Sequence, residues 1–365
     1  MNFPADYKSI KERILEIEPI DYCKSRNFLD GKVTYLSPYI SRGVISTKQV
    51  FDYVMTLGFD YYQIEKLLQE LAWRDYWQQI WIHKGNEIDY DLRSEQKGAI
   101  HQSLSSAILH RRTGIIAIDN GIEELYKTGY IHNHLRMYIA SIACNIGKNH
   151  WNYPAKWMYY HLLDGDWASN ALSWQWVAGT NSNKQYFANQ GNINKYCKTE
   201  DSGTFLDVNY EVLPHIPIQK ELEEIVDLEL KTELPKQAKI TYNSELPVAI
   251  YTYYNLDPEW RNEQKMNRVL LLEPSFFEKY PVSEKCVQFA LDLAKNIENC
   301  RVFVGEFAEF IEGYKPIKTY FKEHPTNNHY KGIEDLRGLI VPEVEGDFKS
   351  FFVYWKKCKK QLSFK

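Results

Sequence analysis

The sequence predicts a mainly helical chain that ends in a smaller α/β region, and three observations carry that expectation. From Phe3 to about Asn194 apolar residues recur at helical spacing, broken by turn signals at Gly31, Gly58, Gly85, Gly114 and Gly129. Residues 204–244 contain IQKELEEIVDLELKTELPKQ, an acidic amphipathic stretch with prolines around it, which reads as a linker with a helix. Beyond it PVAIYTYYN, RVLLLEP, CRVFVGEF and GLIVPEV have the texture of strands, and VSEKCVQFALDLAKNIEN between two of them has the length of a crossover helix. The expected organisation is a helical domain over 1–205, an acidic linker over 206–245 and a small α/β domain over 246–365.

A chain of 365 residues has room for two or three domains and a sizeable core. Its 27 Tyr and 10 Trp are a high aromatic content, which invites a stacking or redox role. The net charge of -4 excludes a strongly basic nucleic-acid binder, and the acidic excess lies beyond residue 205, so a local basic patch stays open. No run approaches a membrane span and the N-terminal residues are charged, so the expectation is a cytoplasmic protein without membrane contact. Cys23, Cys144, Cys197, Cys286, Cys300 and Cys358 form no C-x-x-C pair, which argues for reduced thiols and against a zinc or disulfide framework.

Four segments carry chemistry. GKVTYLSPYISRGVIS, residues 31–46, is a hydroxyl-rich loop with a Pro at a helix start, where backbone N–H groups can hold phosphate or simply cap a turn. In YYQIEKLLQELAWRDYWQQIW, residues 61–81, Ile64, Leu67, Leu68 and Leu71 make a core stripe. Glu70, Trp73, Arg74, Trp77 and Trp81 make a neighbouring stripe that is either a pocket wall or an ordinary face with a Glu70–Arg74 ion pair.

In GYIHNHLRMYIASIACNIG, residues 129–147, Asn133, Arg136, Met137 and Ala140 share one face, suited to a base-like ring on one side and an anion on the other. His132 and His134 have no third ligand near them in sequence, so they read as satisfied or surface histidines with no metal. Finally LLDGDWASNALSWQWVAGTNSNKQYF, residues 162–187, reads as a helix with Asp166, Asn170 and Trp174 within 80° of one another and Trp176 far round. Asp164, Asp166 and Asn170 would need partners if buried there, and a nearby carboxylate can pair with Arg136. There is no G-x-G-x-x-G and no Walker loop.

Taken in this order, ELAWRDYW, HNHLRM and DGDWASNALSWQW resemble the helical FAD-binding domain of the photolyase/cryptochrome family, from FPADYKSI to about NQGNINKYC. The resemblance implies FAD as cofactor. Tyr22, Thr34, Leu36 and Ser37 match the flavin-phosphate loop, with Val33 where the family often has threonine, and Arg74 matches an arginine near the phosphates. Asp164 and Asp166 match the acids beside the isoalloxazine, Arg136 the partner of Asp164, and Asn170 the residue facing flavin N5, and Asn133 too is expected at the cofactor as well as at the lesion. Glu70, Trp73, Asn133, Met137 and Trp176 match positions that receive a cyclobutane pyrimidine dimer, and Asn133 and Met137 stand where the branch repairing (6-4) lesions has histidines.

The implied activity is light-driven repair by electron transfer from reduced FAD to a dimer flipped out of DNA, single- or double-stranded, by a monomeric lyase. A cryptochrome-like blue-light receptor that signals through a partner is the alternative. Trp174 and Trp151 match the first two tryptophans of the electron relay, whereas the third position is Ile108. The antenna-like α/β region follows the FAD domain where the family places it before, and Cys197 stands alone where some relatives hold an iron–sulfur cluster.

Overall fold

The computed structural model describes residues 2–362, so residue 1 and residues 363–365 of the expected domains lie outside the described residues. The helices are α1 (Tyr7–Leu15), α2 (Pro19–Ser25), α3 (Ser37–Ser41), α4 (Thr47–Thr56), α5 (Tyr61–Lys84), α6 (Ser106–Leu109), α7 (Ile116–Thr128) and α8 (Asn133–Ser141). They continue with α9 (Asn152–His161), α10 (Trp167–Ala178), α11 (Gln190–Cys197), α12 (Pro274–Lys279), α13 (Glu284–Ala294), α14 (Phe307–Tyr314) and α15 (Phe351–Gln361). The strands are β1 (Leu104–Ser105), β2 (Ile225–Val226), β3 (Val248–Tyr251), β4 (Asn267–Leu272), β5 (Cys300–Val304), β6 (Thr319–Lys322) and β7 (Ile333–Asp335). The chain is thus mainly helical with a smaller α/β region, as the sequence predicts. It forms two compact units that do not follow chain order.

The first unit draws on Met1–Pro19, Thr34–His83 and Lys231–Lys365. Its sheet has the order β5-β4-β3-β6-β7 with every neighbour parallel. The chain therefore winds outward on one side of β3 and returns on the other, the doubly wound arrangement. All four residues of β3 are buried, because a sheet covered on both faces needs no polar alternation. On one face Val248, Ile250, Val269, Leu271 and Phe303 pack with Phe307 and Phe310 of α14, each such burial contributing about 1.5–3 kcal/mol. The expected crossover helix is α13, whose Cys286, Phe289, Ala290 and Leu293 are buried at helical spacing. The connection from β3 to β4 holds no α-helix; Nη2 of Arg268 donates to the carbonyls of Arg261, Asn262 and Gln264 at 2.9–3.0 Å and closes it.

GLIVPEV, expected as a strand, is irregular backbone, and β6 and β7 complete the sheet instead. Its hydrogen bonds go to helices. The Gly338 carbonyl accepts from the Lys48 N–H at 3.3 Å, and the Ile340 N–H donates to Asp75 Oδ2 at 2.7 Å. Arg337 donates from Nη1 to Gln78 Oε1 at 2.5 Å and from Nε to Glu323 Oε2 at 2.8 Å. This strap ties α4 and α5 to the α/β region, and α15 then lies along α5. Gly43 is required at a second such contact: its φ is +62°, and a Cβ would meet the Tyr254 carbonyl oxygen at 2.3 Å.

The second unit comprises Ile20–Val33 and Lys84–Leu230. At its centre α10 packs on α8 and α9. The stretch read as one helix from residue 162 begins helical structure only at Trp167, since Asp166 is the N-cap and accepts the Ser169 N–H at 2.7 Å. Gly129, at φ +75°, ends α7 in the left-handed region, and the Leu163 N–H then bonds its carbonyl at 2.8 Å. After α8 a buried π-helical turn, Ile142–Ile146, aims Asn145 at the carbonyls of Val177 and Tyr186, at 3.0 and 2.7 Å.

The acidic stretch forms no α-helix. Among the described residues of 206–244 there are short 3-10 turns at Leu213–His215 and Lys220–Leu222 and strand β2, which pairs antiparallel with β1. Pro214, Pro217 and Pro235 remove donors along it, and burial of Leu222 with the Ser106 N–H bond to the Glu224 carbonyl (2.7 Å) favours a strand-like path over a lone acidic helix.

Candidate functional site

In the second unit the residues singled out on α8 and around α10 form a connected set. Nη2 of Arg136 donates to both carboxylate oxygens of Asp164 at 3.0 and 2.8 Å, and Nε donates to the Ile131 carbonyl at 2.9 Å. The Asp164 side chain is 5% exposed, so this pair neutralises a charge that would otherwise be costly to bury. One turn into α10, Asn170 is buried and its Nδ2 donates to the Ala155 carbonyl at 2.9 Å. That leaves Oδ1 as the atom of this amide that can accept from a further N–H donor.

Trp174 and Trp151 are both buried. The Trp151 indole N–H donates to Asp91 Oδ1 at 2.6 Å, its backbone N–H donates to Gln96 Oε1 at 2.8 Å, and His150 lies 3.2 Å from the same Asp91 oxygen. Ile108 is also fully buried. His132 caps α8 by accepting the His134 N–H on Nδ1 at 3.2 Å, and burial pushes its pKa down to about 4, so it stays a neutral capping group. Among the described residues no group of three or more His, Cys, Asp or Glu is placed to hold a metal ion, all six cysteines are free, and no helix is long and apolar enough to cross a membrane.

The first unit holds the other expected residues except Tyr22, which sits half-buried on α2 in the second. Thr34 Oγ1 accepts the Leu36 N–H at 3.4 Å, the Leu36 side chain is core, and Ser37 opens α3 ahead of Pro38. Arg74 reaches from α5 to the Ser41 hydroxyl at the other end of α3. Along α5, Ile64, Leu67 and Leu68 are buried as the stripe requires, and Leu71 is half-buried. Trp81, grouped with the pocket-wall stripe, is core instead: it meets Tyr254, Tyr280 and His324 edge to face at 5.1–6.1 Å.

Two partners were beyond the reach of local pattern. Trp73 stacks on Phe351 of α15, ring centroids 3.9 Å apart and planes 11° from parallel. Asp75, next to the singled-out Arg74, is fully buried and accepts from Thr47 Oγ1 and the Ile340 N–H, each at 2.7 Å. Burial raises its carboxyl to about 6 against the lowering effect of those two bonds. Asp91 and Asp89 likewise serve buried indoles, the latter taking the Trp167 N–H at 2.7 Å. The sequence signal available for both was only their place before a tryptophan-rich region.

Burial separates part of the set, while Tyr22, Thr34, Ser37, Arg74 and Arg136 are all half-buried. Asp164, Asp166, Asn170 and Trp174 are buried, whereas Glu70, Trp73 and Met137 are half-buried and Asn133 and Trp176 exposed, Trp176 at 40%. The first group can only meet something enclosed by the fold. The second is open to a partner arriving from solution.

Comparison with known proteins follows the same residues. Residues 67–261 match the family described as the FAD binding domain of DNA photolyase. Over 186 residues the chain is 27% identical to a deoxyribodipyrimidine photo-lyase of Alkalihalophilus pseudofirmus, covering 50% of this chain and 39% of that protein. It is 26% identical over 174 residues to cryptochrome-1 of Arabidopsis thaliana, covering 44% of this chain and 26% of that one. The solved Synechocystis sp. PCC6803 cryptochrome aligns at TM-score 0.49 and 22% identity, over 54% of this chain and 44% of that one. The chain therefore spans less than half the length of each of these relatives.

Proposed function

Since the chain belongs to the family of the FAD binding domain of DNA photolyase, we propose that it is a light-driven DNA repair flavoprotein acting on cyclobutane pyrimidine dimers. The observation that carries this reading is a burial contrast: Asp164, Asp166 and Asn170, expected beside the isoalloxazine, are enclosed, whereas Glu70, Trp73, Asn133, Met137 and Trp176, expected at the lesion, are half-buried or exposed. Bound FAD would supply the light absorption and the electron that splits a dimer turned out of the strand.

The residues present fit such a group. Asn170 would offer its Oδ1 to a ring N–H such as flavin N5–H, and Arg136 would hold the Asp164 side chain in place. Asp166 would remain occupied as the N-cap of α10. Thr34, Leu36, Ser37 and Arg74 of the first unit would take the phosphates, and Tyr22 is the further residue the family resemblance gives that role. Glu70 would hydrogen-bond a thymine carbonyl, Trp73 and Trp176 would give apolar faces to the extruded bases, and Asn133 and Met137 would complete the lesion contacts. Trp174 and Trp151 would pass electrons inward to the cofactor.

The same proposal includes a monomeric protein of the cytoplasm and a chain built as a helical module, 1–205, an acidic linker, 206–245, and an antenna-like α/β module, 246–365, placed after it. The spatial units cut across those boundaries. Where a doubly wound sheet would bind a chromophore, beyond β3 and β6, Tyr253, Phe276, Phe277 and Tyr330 leave a cavity of about 20 Å³. That is room for a water.

A second reading, a blue-light receptor, is favoured by one observation: the outer relay position is Ile108, an aliphatic side chain that is fully buried. Anaerobic illumination of the reduced protein with an oligonucleotide carrying one thymine dimer separates the two. Repair restores the thymine absorbance; FAD-loaded protein that never restores it is the receptor.

A further inference from the structure

The molecule carries net charge -4, so cations able to meet a phosphate chain have to be concentrated somewhere. They are concentrated on α15. Its eleven residues, FFVYWKKCKKQ, hold four lysines and no carboxylate. Phe351, Tyr354, Trp355 and Cys358 are buried at the i, i+3, i+4, i+7 spacing of one face, and Lys356, Lys357, Lys359 and Lys360 are exposed on the other.

Aromatic rings flank this basic face. Phe352 is 66% exposed at the start of the helix. At the far end Lys359 lies 5.8 Å from the Tyr61 ring and 3.9 Å from Glu65, which places the first turn of α5 there, and the adjoining Tyr62 is 88% exposed. Lys359 thus has an internal partner, and Lys357 lies 4.8 Å from the Phe348 ring centroid. Phe351, next to Phe352, is the ring stacked on Trp73.

We infer that the exposed face of α15 grips a single nucleic-acid strand, Lys356, Lys357 and Lys360 meeting phosphates and Phe352 stacking on a base. The inference rests on the repair reading only in that Trp73, which backs onto α15, then stands beside the gripped strand. Lysines interleaved with exposed rings are the pattern that binds single strands without sequence preference. An anionic membrane surface fits less well, because a bilayer takes the apolar face of an amphipathic helix and that face is already packed inside the protein.

The test uses the whole chain and an undamaged, fluorescently labelled single-stranded oligonucleotide in the dark, with anisotropy followed across a salt series. The triple variant Lys356→Gln, Lys357→Gln, Lys360→Gln is expected to weaken binding by about tenfold or more at low salt and to reduce the slope of log affinity on log salt by about 2. The separate variant Phe352→Ala should lose a few-fold in affinity with the slope unchanged. Unaltered affinity and slope in the triple variant, or binding by Phe352→Ala equal to the parent, overturns the inference. So does loss in the triple variant of binding to phosphatidylserine vesicles while oligonucleotide binding persists. Since no lesion and no light are used, lysine-dependent binding without repair leaves the inference standing and ends the repair reading; repair without lysine dependence does the reverse.

Discussion

Helices α5 and α10 carry six of the ten tryptophans between them, and they use them oppositely. In α10 nearly every side is enclosed: Trp167 and Trp174 are buried, and only the strip of Ser169, Ser173 and Trp176 faces outward. In α5 one side is anchored by the strap and by α15, while Glu70, Trp73, Arg74 and Trp77 stay half-buried. Residue type alone does not assign a role to an indole. What assigns it is whether the protein has already covered the ring.

The sharpest way to break the enclosed side is Arg136→Ala. It strands the Asp164 carboxylate in a buried position, and removing one partner of such a pair costs about 3–5 kcal/mol. Chemical denaturation should show that loss, with flavin content falling in parallel. On the anchored side, Phe351→Ala removes a fully buried ring and should cost about 3 kcal/mol. It should also change the near-ultraviolet circular dichroism of Trp73, a signal that Phe352→Ala leaves alone.

A smaller effect distinguishes the two helices by pH. Asp75 on α5 has its carboxyl raised to about 6 in the folded protein, above the ordinary value. The native state therefore binds more protons, and the stability this group contributes is full below its unfolded pKa and is lost as pH rises through about 6. Relative to Asp75→Asn, the parent should gain about 1 kcal/mol in urea unfolding between pH 7 and pH 5. The smallest structural effect belongs to Glu70→Ala on the open face, expected within about 0.5 kcal/mol of the parent in stability. Flavin content should hold while thymine-dimer repair yield falls, and lost flavin would place Glu70 on the enclosed side of the comparison.

Much of this was legible in the sequence where the information is local. The face of Asn133, Arg136 and Met137 follows from helical periodicity, and a carboxylate partner for Arg136 was foreseeable from charge, with Asp164 named by the family resemblance. Strands β3, β4 and β5 announce themselves as apolar runs, and α13 by its spacing. What stayed hidden depends on partners distant along the chain. GLIVPEV is as apolar as a strand, yet its Ile340 N–H is spent on Asp75 and its Leu339 and Val344 N–H groups on local turns rather than on a ladder. Trp81 looks like part of a wall until Tyr254 and His324 are seen against it. The acidic stretch has a helical pattern but no packed face to stabilise it, and so takes short turns and β2.

The interleaving of the chain carries a consequence for biogenesis. Both segments of the unit built on Ile20–Val33 and Lys84–Leu230 have been synthesised once Leu230 is added, so it can close while synthesis continues. Helices α3, α4 and α5 emerge early but must wait for the segment beginning at Lys231, with apolar stripes uncovered throughout that delay. Slowing translation beyond residue 230 should therefore lengthen the time for which the nascent chain engages holding factors, which ribosome-nascent-chain pull-down would read.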